Sequence, residues 1–178
     1  MASILIQDAC VLINLLGSGR FDDIAVGCGL DFAIVSAVSR EAMYLHNPDP
    51  KVREVIDLAP LINKGMLTIL DPENEIEKLR YIELALSLDD GEAESVAIAE
   101  SRHFALATDD KKARKLIQSE GIKIELWSTC SLLQLWQTKC SITDADMKNV
   151  LENIFSRARY RPKASHPDFD WWANILSK

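Results

Sequence analysis

Five carboxylates stand in this 178-residue chain where divalent-cation chemistry would need them. Asp8 closes the apolar run Ile4-Leu5-Ile6. Glu41 comes shortly after Phe32-Ala33-Ile34-Val35-Ser36. Asp109 and Asp110 come directly after Phe104-Ala105-Leu106-Ala107-Thr108. Glu94 lies inside Gly91-Glu92-Ala93-Glu94-Ser95-Val96-Ala97-Ile98-Ala99. Three of these segments put an acid just beyond a strand-like run, and the fourth puts one in the first turns of an apolar helix. In an open α/β sheet the carboxyl ends of the strands line the ligand crevice. Carboxylates gathered there repel one another unless a hard divalent cation joins them through oxygen. The residue types therefore point to a magnesium or manganese site.

Each acid also has a plain structural explanation. Asp8 could cap the helix that follows it. Glu41 could be an exposed first-turn acid favoured by the helix dipole. Asp89, Asp90, Glu92 and Glu94 crowd one helix start. There Asp90 reads as the N-cap, Glu92 as part of the first turn, and Glu94 as the acid deep enough to turn inward. One of Asp109 and Asp110 is expected to cap a helix, leaving the other for the crevice. The basic run Lys111-Lys112-Ala113-Arg114 reads either as a solvated helix face or as contacts to phosphate beside a metal. No single site outweighs its structural alternative by much; their order along the chain does.

The elements that must position these residues alternate. Short, mostly non-alternating apolar runs at residues 3–6, 32–36, 66–70, 104–107 and 122–126 are expected to be strands covered on both faces. Helices are expected at 9–16, 36–46, 51–64, 73–88, 91–101, 109–120 and 128–138. Asn47-Pro48-Asp49-Pro50 should break the second of these, and Asp71-Pro72 should begin the fourth. This alternation implies a three-layer α/β/α sandwich with a central parallel sheet of about five strands. After Cys140 the pattern changes to a helix at 143–158 and a tail ending in Phe169-Asp170-Trp171-Trp172. The organisation expected is a domain over 1–140 and a C-terminal helix and aromatic tail over 141–178. That tail would pack on the domain or on a partner.

Composition bounds the rest. The 48% hydrophobic and 26% charged fractions are those of a globular domain. A formal charge of -7 argues against a protein that coats nucleic acid, though not against an enzyme that acts on it. No apolar run approaches the roughly 20 residues of a membrane helix, and the N-terminus lacks a signal-peptide pattern, so the expected location is the cytoplasm. Cys10, Cys28, Cys130 and Cys140 form no C-x-x-C pair and no Cys/His cluster in sequence. They read as free thiols rather than a zinc or redox site.

The ordered set of motifs resembles the PIN domain, a nuclease fold that includes the VapC toxins of toxin–antitoxin pairs. The segments that carry the resemblance are Ile6-Gln7-Asp8-Ala9-Cys10-Val11-Leu12-Ile13, Val35-Ser36-Ala37-Val38-Ser39-Arg40-Glu41, residues 91–99 and residues 107–114. They span about residues 3 to 130. The resemblance implies a Mg²⁺- or Mn²⁺-dependent endoribonuclease. It assigns catalytic and metal-binding roles to Asp8, Glu41, Glu94 and Asp110, with Asp109 as a further ligand. Thr108, Lys111, Lys112 and Arg114 would contact substrate. An RNA substrate, a small antitoxin partner and a homodimer follow from the same resemblance. Two positions depart from the family pattern: Cys10 stands where Ser or Thr is common, and Glu94 where Asp is common. They leave as the alternative a catalytically weak or inactive PIN-like module that binds RNA or a protein partner. A haloacid-dehalogenase-type phosphatase would want an acid at position 10. A receiver domain would want a phosphorylatable Asp that Leu70-Asp71-Pro72 does not supply.

Overall fold

The structure is a computed structural model that describes residues 4–41, 43–47, 49 and 52–178. Five strands form one parallel sheet: β1 (Ile4–Gln7), β2 (Asp31–Val35), β5 (Thr68–Leu70), β6 (Ala105–Ala107) and β7 (Leu126–Trp127), in the order β5-β2-β1-β6-β7. Their buried, non-alternating side chains explain the pairing. Leu5, Ile6, Ala33, Ile34, Val35, Leu106 and Ala107 are all at most 1% exposed, so the sheet is covered on both faces. Register runs Leu5↔Phe32 on one side of β1 and Leu5↔Ala105 on the other. The chain order reverses beside β1, which makes the crevice at the ends of β1 and β6 the switch point of the sheet. The protein is an α/β/α sandwich. Among the described residues no helix is long and apolar enough to cross a membrane.

Contacts divide the chain into two compact units. The first comprises residues 1–11, 30–41 and 57–128 and holds the whole five-stranded sheet. Its central helix is α6 (Asp90–Arg102), which packs on β1, β2 and β6. Small side chains allow that approach: Ala93, Ala97 and Ala99 are all 0% exposed, as are the larger Val96 and Ile98. The second unit comprises residues 12–29, 42–56 and 129–178. It holds α2 (Phe21–Cys28), a two-stranded antiparallel hairpin of β3 (Tyr44–His46) and β4 (Arg53–Val55), α8 (Thr129–Cys140), α9 (Asp144–Asn153), a π-helical turn (Ile154–Ala158) and α10 (Phe169–Ser177).

Several expectations are revised. The helix expected over 36–46 stops after four residues, as α3 (Ser36–Ser39), and the chain turns into β3. The helix expected over 51–64 is replaced by β4 and by α4 (Ala59–Asn63). Pro60 explains the second change: at the second helical position it begins a helix rather than disturbing the end of one. Helix α2, flanked by glycines, had no expected counterpart. Gly27 lets it pack closely, since a Cβ there would lie 2.5 Å from the Trp136 indole of α8. The tail after residue 168 is helical, with Trp172 1% exposed. Ser3, Pro48, Pro50 and Lys51, which entered the expected strand, break and helix start, lie outside the described residues.

Helix α5 (Glu75–Leu84) is held to α6 by ion pairs. Arg102 donates to both oxygens of Glu77, at 2.8 and 2.9 Å, and to the Asp71 carbonyl at 2.7 Å. Glu77 is only 1% exposed, and this guanidinium holds its carboxyl down at about 2 against an ordinary 4.5. The sign is that of a depressed acid: the stabilisation is complete above about pH 4.5 and disappears as pH falls toward 2. At neutral pH it is worth roughly 3 kcal/mol, at about 1.4 kcal/mol per unit. Thermal melts of Glu77→Gln against the wild type should differ by that order at pH 7 and converge toward pH 2. An equal gap at both ends would show that the pair is not the cause.

Candidate metal and phosphate site

Asp8 sits at the carboxyl end of β1, 4% exposed. Its backbone N–H extends the β1–β6 ladder to the Ala107 carbonyl at 3.0 Å. Its side chain accepts from the Val11 N–H at 2.7 Å, capping α1 (Ala9–Gly17). The carboxylate that caps α1 therefore also lines the cleft described below. Burial drives its carboxyl up to about 7 from 3.8. The Thr108 hydroxyl and the Val11 N–H oppose that rise, while Asp109 and Glu92 add to it.

Thr108 ties the two strand ends together. Its hydroxyl bonds to Asp8 and accepts from the Asp110 N–H at 3.0 Å. Asp110 caps α7 (Lys111–Ser119) by accepting from the Lys112 and Ala113 N–H groups, both on Oδ1. Asp109 is half-buried and acts on Asp8 and Cys10 through its charge.

Glu92 is the acid that the sequence reading passed over. With Asp89 it forms a capping box: the Asp89 side chain accepts from the Glu92 N–H at 2.8 Å, and the Glu92 carboxylate accepts from the Asp89 N–H. Asp89, not Asp90, is thus the N-cap of α6. The pattern Asp89-x-x-Glu92 was the available signal. A second signal was face: Glu92, Ser95 and Val96 share one stripe at i, i+3 and i+4, and they line a cleft with Asp8 and Thr108. Burial, with Asp89 and Asp110 nearby, pushes Glu92 up to about 7 from 4.5.

Glu94 points elsewhere. It is 5% exposed and accepts from the Ser36 hydroxyl at 3.2 Å and from the Ala37 N–H at 2.7 Å, which fastens the start of α3 to α6. Glu41 follows α3 and is the most exposed of the set. It lines a cleft of about 340 Å³ of open space together with Asp8, Cys10, Val38, Asp89, Gly91 and Glu92. Partial burial and Asp89 raise its carboxyl above the ordinary range. The structure therefore brings Asp8, Glu41, Asp89 and Glu92 to one cleft, sets Asp109 and Asp110 within their field, and turns Glu94 toward α3. Cys10 lines the same cleft, and burial beside Asp8 pushes its thiol up to about 12, so it is a neutral S–H at physiological pH.

The basic residues divide similarly. Lys111 and Lys112 are exposed on the first turn of α7, and Lys112 acts electrostatically on Glu92. Arg114 instead donates to the Thr108 carbonyl at 2.8 Å and to the Trp127 carbonyl, bracing the ends of β6 and β7.

This donor set fits a hard divalent cation. It consists of carboxylate oxygens, and burial and mutual repulsion raise two of them toward neutrality. Ser95 lines the narrower adjoining pocket with Asp8, Glu92 and Thr108, and its buried hydroxyl has no hydrogen-bond partner among the described residues. An acidic crevice at the switch point of a parallel sheet places hard oxygen donors where α/β proteins bind their ligands. The chain belongs to the PIN-domain family: the family model of that description matches residues 4–166. PIN domains are generally metal-dependent nucleases that act on RNA. No curated protein and no solved structure matches the chain.

Gly91 gives the site a direct test. A Cβ at this position would lie 2.8 Å from Glu41 Oε1 and 2.9 Å from Val38 Cγ2. Alanine favours a helix interior over glycine by up to about 1 kcal/mol, which offsets part of the cost of shifting Val38, so Gly91→Ala should still fold with a somewhat lower thermal midpoint. It should nonetheless displace Glu41 and weaken Mn²⁺ binding about tenfold, the lower end of the range for misplaced ligands. Unchanged Mn²⁺ affinity by calorimetry would remove Glu41 from the site.

Proposed function

We propose that this protein is a Mg²⁺- or Mn²⁺-dependent endoribonuclease. The observation that carries the reading is the convergence of Asp8, Glu92 and Glu41 on one cleft beside Asp109 and Asp110. In this reading Asp8, Glu92 and Asp110 hold the cation, with Asp109 and Glu41 completing its surroundings. Bound there, the cation supplies Lewis-acid polarisation of the scissile phosphate and of the attacking water. Thr108 fixes Asp8 and Asp110 relative to each other. Glu41, at the mouth, receives the proton lost by the attacking water, a task suited to a carboxyl raised above its ordinary range. Lys111 and Lys112 hold the flanking backbone as charges rather than as readers of sequence. Glu94 acts as a positioning residue through α3.

The test is cleavage of RNA and DNA with Mg²⁺, Mn²⁺ or EDTA. Activity on RNA should require the metal and should vanish in Asp8→Asn. Glu92→Gln should lose about 100-fold or more, the scale of removing one preorganised electrostatic contact. Glu94→Gln should lose less activity while lowering the thermal midpoint. Full activity in Asp8→Asn would sink the mechanism, and a larger loss in Glu94→Gln than in Glu92→Gln would reverse the two acids. The rival reading, a non-catalytic module that binds RNA or a protein, is favoured by the neutral Cys10 thiol in the cleft. RNA binding without cleavage in any metal would establish it.

We further infer a homodimer formed through α5 and the turn that follows it, where Ile76, Leu79, Ile82 and Leu86 are 74, 60, 59 and 87% exposed in that order. Such a row of large apolar side chains is unusual on a surface with no partner. Light scattering should report a dimer for the wild type and a monomer for Leu79→Lys. A toxin role would additionally require a small antitoxin, which co-expression with the adjacent reading frame would reveal.

A further inference from the structure

The second unit contains a group of donors of a different kind. Cys130 lies in the first turn of α8 and is fully buried, while His166 and Asp168 lie in the irregular segment before α10. One ligand atom from each residue lies within 4.8 Å of the other two. In sequence they are 36 and 38 positions apart, so no spacing motif reveals them.

Three features set this cluster apart from a chance meeting of polar groups. Asp168 occupies the N-cap position of α10, yet its side chain makes no capping bond to that helix. An aspartate there ordinarily turns onto the helix N–H groups. This one is turned away: its Oδ1 accepts from Gln134 Nε2 at 2.9 Å, and Oδ2 lies 3.7 Å from His166 Nδ1. Gln134 stands one helical turn beyond Cys130 on the same face of α8, so that helix supplies both a thiol and the group that orients the carboxylate. Finally, Pro167 fixes the backbone between His166 and Asp168, which presents two donors from one turn.

We propose that Cys130, His166 and Asp168 bind a zinc ion that clips the segment before α10 to α8. Donors around tetrahedral zinc lie about 3.5 Å apart, from Zn–S and Zn–N distances of about 2.3 and 2.0 Å, so the cluster needs to contract by only about an ångström. A thiolate beside an imidazole selects zinc over magnesium or manganese, which separates this site chemically from the carboxylate crevice of the first unit. Charge also closes: Cys130 gives its thiol proton to solvent as it binds, and thiolate plus carboxylate then neutralise Zn²⁺ around a neutral imidazole. In zinc binding His166 coordinates through Nδ1, giving up the 3.1 Å bond that it accepts from the Asp168 N–H. Three protein donors leave a fourth position, and the Tyr160 hydroxyl lies 3.8 Å from the sulfur. Gln134 is a positioning residue for Asp168.

Co²⁺ added to the metal-free 178-residue chain tests the site. The expected result is tetrahedral visible bands with a near-ultraviolet thiolate-to-cobalt band, both lost on adding Zn²⁺. Cys130→Ser should abolish the near-ultraviolet band. His166→Ala, on a partly exposed residue, guards against a folding defect at the buried cysteine and should weaken binding about 100-fold. Gln134→Ala should weaken it about tenfold. Asp8→Asn should leave the bands unchanged, which keeps this result independent of the nuclease reading. No thiolate band in the wild type, or a band that survives Cys130→Ser and so belongs to another cysteine, would overturn the proposal.

Discussion

Burial of the Asp8 carboxylate at the end of β1, made worse by the nearby Asp109 and Glu92, is the constraint around which the first unit is arranged. At neutral pH, keeping Asp8 ionised where its carboxyl is raised from 3.8 to about 7 opposes folding by roughly 4 kcal/mol. A structure tolerates such a cost when the surroundings fix the group on all sides and a ligand relieves it. Here the Val11 N–H, the Thr108 hydroxyl and the β1–β6 ladder fix Asp8, and the capping box fixes Glu92. The Arg102–Glu77 clamp, on the same α6 that presents Glu92, contributes stabilisation of the same order. The same helix thus presents Glu92 to the strained carboxylate from its first turn and makes this stabilising contact at its last.

The fold was largely legible because a sheet covered on both faces leaves its mark in the residues. Runs such as Ile4-Leu5-Ile6 and Phe32-Ala33-Ile34-Val35 could not sit half in water, and they became β1 and β2. The marks fade where structure is short or set by distant contacts. Helix α3 ends after Ser39, although nothing in Arg40 or Glu41 forbids another turn. Strands β3 and β4 have three residues each, too few to show a period. Helix α2 was hidden by its own glycines: Gly27 reads locally as a breaker, yet it is there because Trp136, more than a hundred residues later, leaves no room for a methyl group.

The candidate site was legible by position rather than by partner. Asp8, directly after β1, falls at the crevice because strand direction alone decides it. Acids on a helix depend on rotation about its axis. Glu92 and Glu94 are about 200° apart on α6, so they face different neighbours, and depth along the helix could not choose between them. The capping box could, because it holds Glu92 beside Asp89 at the helix start. Distance in sequence hid the Cys130, His166 and Asp168 cluster in the same way: each residue is unremarkable until α8 and the segment before α10 are seen side by side.

The crevice draws its acids from residues 8, 41, 92, 109 and 110, and its floor is the pairing of the first strand with one formed a hundred residues later. Synthesis delivers these parts in order, while non-local strand pairing is among the slower steps of folding. A nascent chain that has emerged only as far as residue 100 would hold three of the five acids but lack the β6 edge that seats Asp8 and the hydroxyl that links it to Asp110. A nuclease built this way would stay silent on the ribosome that makes it, acquiring its chemistry only after nearly the whole of the sheet has left the exit tunnel.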